Sequence, residues 1–145
     1  MVDFSQAVHS PHFNVGAQES QSIFFEYLFI DEAYFHSFIA MTAAFFDFVT
    51  GQQTSAASNV NHLGRALSLI NDKLSSRDAL SDTILASVIV LCSLENMRGD
   101  ARKMTVHFEG LCRMIELRGG VAALEKNPPL LEKIRGYVSA LNDVG

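Results

Sequence analysis

Val60, Leu63, Leu67, Ile70 and Leu74 fall three, four, three and four positions apart. That spacing returns to one side of an α-helix at every step, so the segment predicts a helix with a single buried stripe. Thr54 or Ser55 is placed to cap its start. The next segment, SDTILASVIVLCSLENM, is apolar on nearly all sides from Ile84 to Leu94. A helix that is apolar all round belongs at the centre of a core, and Ser81 or Asp82 begins it. Arg98-Gly99-Asp100 reads as a turn, with Gly99 ending one helix and Asp100 capping another. From Ala101 to Arg118 the stripe is Met104, Phe108, Leu111 and Ile115, and Glu109 and Arg113 are spaced for an i,i+4 pair on the outer face. Gly119-Gly120 supplies a left-handed stop. Pro128 and Pro129 open a last helix, where proline suits the first turn. No period-two alternation competes, and short connections favour antiparallel neighbours. The expected fold class is all-α: a stack of about six mostly antiparallel helices, bundle-like or solenoid-like, without right-angle crossings.

The segment from Ile23 to Val49 is the unusual one. It is dense in Phe, Ile and Leu, and Asp31 is placed to restart the helix, giving pieces at about 20–30 and 32–49 with Gly51 at the end. Glu26, Asp31, Glu32 and Asp47 interrupt it, and charge at that density opposes membrane insertion. The expectation is a buried helix or two, with Phe35, Phe38, Ile39, Thr42, Phe45, Phe46 and Val49 as the broad apolar face.

Gly64 and Gly110 sit inside helical runs. Each costs about 0.8–1 kcal/mol relative to alanine. Gly64 adjoins Leu63, and Gly110 lies beside the face carrying Phe108 and Leu111. Close approach of packed helix backbones is the return expected at both.

The 145 residues suit one domain, which at this size buries roughly 68% of its extended-chain surface. Residues 1–18, with Pro11, Gly16 and no periodicity, read as a flexible arm, and 19–145 as a single all-helical domain. Apolar residues make up 48%, with eleven Phe and no Trp. That is rich for a small monomer and favours an oligomer or a piece of something larger. The net charge is −5, and Lys and Arg form no run, so phosphate neutralisation leaves no footprint. No direct nucleic-acid partner is expected. The N-terminus lacks a basic stretch followed by an apolar one, so it is not a secretory signal.

Chemistry-bearing constellations are sparse. Cys92 and Cys112 are too few for a disulfide framework and form no C-x-x-C. A hairpin about Gly99-Asp100 offsets them by about 8 Å along the helices, so they are expected unbridged, as in a reducing compartment. Glu32 and His36 share a helix face but make only two metal ligands; a surface pair is the simpler reading. His9-x-x-His12 lies in the arm. There is no G-x-S-x-G, H-E-x-x-H or phosphate loop, so neither an enzyme, a cofactor nor a metal is expected.

The stretch RGD-x5-VHFEGLCRMIELRGGV resembles a hallmark of the fungal-specific transcription factor domain. That regulatory region lies downstream of the zinc binuclear cluster in fungal transcription factors, and its members often carry a helix of the type HLEGLRRLVELRGGL. The matching positions here are His107, Glu109, Gly110, Leu111, Arg113, Glu116, Leu117, Arg118, Gly119 and Gly120. Leu80–Asp100 is similar to the family's central helix, and Asp31–Gln52 and His62–Ser75 to other helices of it. The resemblance implies transcription regulation and a nuclear location; without it, the expected location is the cytoplasm. Two departures stand out. The six cysteines of a zinc cluster are missing, and the family's domain is longer. A fragment and a stand-alone regulator both fit. His107 then has two readings, a switch or ligand contact, or a hydrogen-bonded histidine joining two helices; the second is the expected one.

Phe24, Phe25, Phe29, Phe35, Phe38, Phe45, Phe46 and Phe48 cannot all face one stripe. They are expected to form a homodimer face or an apolar pocket. The expected function is a transcription-regulatory or protein-interaction module without its own DNA-binding region, with a small apolar-ligand sensor or carrier as the alternative. Expected partners are a second copy, other regulatory proteins or a small apolar ligand; no membrane is expected.

Overall fold

The computed structural model describes residues 23–52, 56–77 and 79–144, apart from the side chains of 56–59 and 140–144. The arm at 1–18, the histidines within it and the cap at Thr54 or Ser55 lie outside the described residues. Residues 23–30 form α1. There follow α2 (Glu32–Thr50), α3 (Ala56–Leu74), α4 (Asp82–Arg98), α5 (Ala101–Arg118), a 3-10 turn (Val121–Leu124) and α6 (Pro128–Val144). No strand occurs among the described residues, and the fold is all-α.

The helix boundaries are chemical. Asp31 caps α2 by accepting from the Tyr34 amide at 2.9 Å. Ser81 does the same for α4 through Ile84, and Asp100 for α5 through Lys103. Gly99 and Gly119 end α4 and α5 in left-handed backbone. At the second of these, Gly119 N–H donates to the Glu116 carbonyl and Gly120 N–H to that of Ile115, which is a Schellman stop.

α4 is central. Every residue from Ile84 to Cys92 is buried. It packs against α2 on one side and α5 on the other. The main core joins Ile84, Leu85, Val88 and Ile89 to Phe24 and Tyr27 of α1, Leu111 and Met114 of α5, Leu124, and Leu130, Ile134 and Tyr137 of α6. α3 lies along α2 and barely meets α4. These two consecutive helices are therefore not the close neighbours expected from their order; Ile70 and Leu63 of α3 join Leu91 and Leu94 of α4 in small clusters with alanines of α2.

The buried side of α2 is not the one expected. Ala33, Tyr34, Ser37, Ala40 and Ala44 point inward, while Phe35, Phe45, Phe46, Phe48 and Val49 are exposed. The reason lies in α4. Its bulky aliphatic residues fill the space between the helices, and small residues on α2 let the axes approach. The helix is long and apolar enough to cross a membrane by length and composition, with mean hydropathy 1.2, yet only 28% of it is buried. In α3, Ala66 and Ile70 are buried and Leu63 half-buried, whereas Val60, Leu67 and Leu74 are exposed. The seam runs 63, 66, 70 and on to Lys73, because α3 meets α2 along one narrow line. Nothing lies within 4 Å of where a Cβ would stand on Gly64 or Gly110, so close helix approach explains neither. Arg113 pairs with Glu116 at 3.7 Å, not with Glu109.

Candidate functional site

Three polar hubs fix the helices and so decide which surfaces remain for function. The first uses the end of the ELRGG stretch. Arg118 forms an ion pair with Asp82 at the start of α4. Asn127, from the turn before α6, donates from Nδ2 to Asp82 Oδ2 at 2.8 Å and to the Tyr27 hydroxyl at 2.9 Å. Its Oδ1 accepts from the Leu130 amide at 3.3 Å and caps α6. Four elements meet at these four side chains. Burial raises the Tyr27 pKa; the Asn127 hydrogen bond opposes that shift.

The second hub is Asp31, 5% exposed. Burial alone would raise its carboxyl, but hydrogen bonds from Lys73, the Tyr34 amide and Thr83 outweigh it and hold the pKa below the ordinary value. Lys73 ends α3 and Thr83 starts α4, so Asp31 ties three helices. The third hub joins α2 to α3: His36 Nδ1 meets His62 Nδ1 at 2.9 Å, His36 Nε2 lies 3.6 Å from Glu32, and Arg65 reaches Glu32 at 3.2 Å. Glu32 and His36 do pair on the surface. Among the described residues no group of three or more His, Cys, Asp or Glu is arranged to hold a metal.

Of the family-motif residues, Leu111 is buried, Gly119 and Gly120 make the stop, Arg118 joins the hub, and Glu116 holds Arg113. His107 is half-buried, and burial lowers its pKa, with Lys103 adding to that shift and Glu95 opposing it. Glu109, Gly110 and Leu117 face solvent, and with Val106 they leave an open side on α5, beyond which Val121 of the 3-10 turn is also exposed. Both cysteines are free, in keeping with the offset along their hairpin. Burial pushes the Cys92 thiol up to about 11. Burial with Glu116 and Glu109 also raises Cys112. Neither is a thiolate at neutral pH.

The phenylalanines divide. Phe24 belongs to the core, 5.6 Å from Tyr27 and 6.4 Å from Tyr34 between ring centroids, with Lys133 Nζ 4.0 Å over its ring. Phe38 is half-buried and stacks on Tyr34 at 6.2 Å. Phe25 and Phe29 pack on each other at 5.2 Å and face solvent. Phe35, Phe45, Phe46 and Phe48 are exposed along α2. Position by position, the stripe Phe35, Phe38, Ile39, Thr42, Phe45, Phe46 and Val49 follows one side of a helix, opposite Ala33, Ser37, Ala40 and Ala44. The 4-3-4 spacing of those small residues was the sequence signal for the packed side. The arrangement leaves a broad, exposed aromatic stripe along the outer side of α2.

No curated protein and no solved structure matches the chain. The model of the fungal specific transcription factor domain matches it over residues 5–138. That match spans the helices, the hubs and the open aromatic side alike, and the chain belongs to the fungal specific transcription factor domain family.

Proposed function

We propose that the chain is a transcription-regulatory interaction module that acts in the nucleus through protein contacts and does not itself read DNA. The family match over residues 5–138 carries the regulatory part. The charge distribution supports the rest. Arg65, Lys73, Lys103, Arg113 and Arg118 are each paired with an acid of this chain, and the net charge is −5. The six other Lys and Arg are exposed but are outnumbered by the sixteen acids and form no run in sequence, a poor match to the clustered cations that displace counterions from a duplex. The apolar outer side of α2 supplies contact area of the kind found at interface cores, aromatic and poor in charge.

A small apolar ligand is the weaker reading, because the phenylalanines split between core and solvent instead of lining one enclosure. Two assays test the proposal. Electrophoretic shift with random duplex at low salt should show no complex. The chain fused to an unrelated DNA-binding domain should change transcription of a reporter carrying that domain's site. Tight duplex binding by the chain alone would overturn the no-DNA part, and a silent fusion that reaches the nucleus would overturn the regulatory part.

A further inference from the structure

We propose that the outward face of α2 is a self-complementary docking surface, covered by a second copy of this chain in an antiparallel two-fold contact centred on Thr42. This rests on reading that face as a protein-contact surface, and it names the partner.

The positions carry the case for a second copy. The outward set is Phe35, Phe38, Ile39, Thr42, Phe45, Phe46 and Val49. Counted from Thr42, its members lie at minus and plus three, four and seven. Turning the helix end for end about Thr42 superposes the set on itself: Phe35 opposes Val49, Phe38 opposes Phe46, and Ile39 opposes Phe45. An isologous contact needs this property, since one patch must serve both subunits. The smallest side chain stands at the crossing point, where two axes approach most closely, and Phe38 and Phe46 lie one turn away on the i±4 ridge through it. The Thr42 hydroxyl already donates to the Phe38 carbonyl at 2.9 Å, so its burial leaves no unmet donor. No charged residue interrupts the set, and antiparallel pairing sets opposite helix ends side by side.

The area also fits. Phe35, Phe45 and Phe46 are 40%, 55% and 57% exposed. At roughly 200 Å² for a whole phenylalanine, they leave about 300 Å² of aromatic surface on this face. Val49 and the half-buried Phe38 and Ile39 enlarge it to about the limit seen on soluble monomers. Phe25 and Phe29, 61% and 76% exposed, bring roughly 270 Å² more on α1. The α2 face by itself falls below the ~800 Å² per partner of a standard interface and fits a weak, concentration-dependent dimer.

Sedimentation velocity of the full chain across the micromolar range tests the proposal. The expected species has twice the 16.0 kDa chain mass. Phe46→Asp should sediment as a single chain with unchanged helical circular dichroism. Thr42→Cys, oxidised with diamide, should give a covalent dimer. Thr50→Cys should not, because the two-fold would hold its mate roughly 24 Å away along the axes. A wild-type monomer throughout that range, flotation with lipid vesicles in place of self-association, a dimer that survives Phe46→Asp, or better cross-linking at position 50 than at 42 each overturns it. A monomer that still alters the reporter as a fusion would remove the dimer and leave the regulatory reading standing.

Discussion

Replacing Asn127 by alanine should cost far more than one polar side chain near a turn suggests. Asn127 caps α6 through the Leu130 amide and donates to both Asp82 and Tyr27. Losing the cap is worth about 1 kcal/mol. Losing each donated hydrogen bond removes about 1 kcal/mol more, because Asp82 and the Tyr27 hydroxyl are partly buried and lose their shared donor. The expected loss is about 2–3 kcal/mol, a fall in melting temperature of roughly 5–10 °C for a chain of this size. Urea unfolding followed by circular dichroism reads it directly. Asn127→Ser should recover about 1 kcal/mol, since serine keeps the cap but not the reach. Asn127→Asp should recover none of the loss, since it sets a carboxylate against Asp82. A double cycle with Tyr27→Phe should show coupling of about 1 kcal/mol. An Asn127→Ala variant within 0.5 kcal/mol of wild type, or a Ser variant no better than Ala, would refute the account of this hub.

Gly110→Ala should stabilise the chain by about 0.5–1 kcal/mol, since the Cβ enters open space in mid-helix; thermal melts read the gain. Gly119→Ala should lose about 1–2 kcal/mol, since φ is +119 there and Ala123 Cβ stands 3.4 Å from the new carbon. Asp31 has a folded-state pKa below its ordinary value, so its contribution is present above the unfolded pKa and is lost as pH falls through the folded one. The stability gap between wild type and Asp31→Asn should therefore be full at neutral pH and shrink below about pH 4. Denaturing, non-reducing thiol titration should find two free thiols per chain, and under native conditions Cys112 should alkylate faster than the buried Cys92.

What could be read from the sequence was local chemistry. Asp31, Ser81, Asp100, Gly99 and Gly119 cap helices where their types and spacing put them, because a cap is decided within four residues. The centrality of α4 followed from its apolar circumference. The orientation of α2 did not, because that helix has two apolar sides. Phe35 through Val49 and Ala33 through Ala44 both repeat with helical period, and hydrophobicity favours the bulky side. The choice falls to the neighbouring helix, whose large side chains need small ones opposite. Gly110 misled in the same way: a costly residue in mid-helix suggested an internal contact, and its surroundings are solvent. Contacts between distant positions were invisible. Asn127 lies 100 residues from Tyr27 and His36 lies 26 from His62, and no local pattern couples such pairs. The family motif was legible as a motif, but Arg118 as a brace on Asp82 emerged only from the fold.

The central claim is that α2 packs through its small residues and presents its phenylalanines outward. Thiol labelling of Ala40→Cys and Phe46→Cys at nanomolar concentration, in a Cys92→Ala, Cys112→Ala background, tests it most directly. The Phe46→Cys thiol should react at the rate of a free thiol, and the Ala40→Cys thiol at least about a hundredfold more slowly, through unfolding alone. Equal rates, or a protected position 46 beside an open position 40, would show that the helix faces the other way.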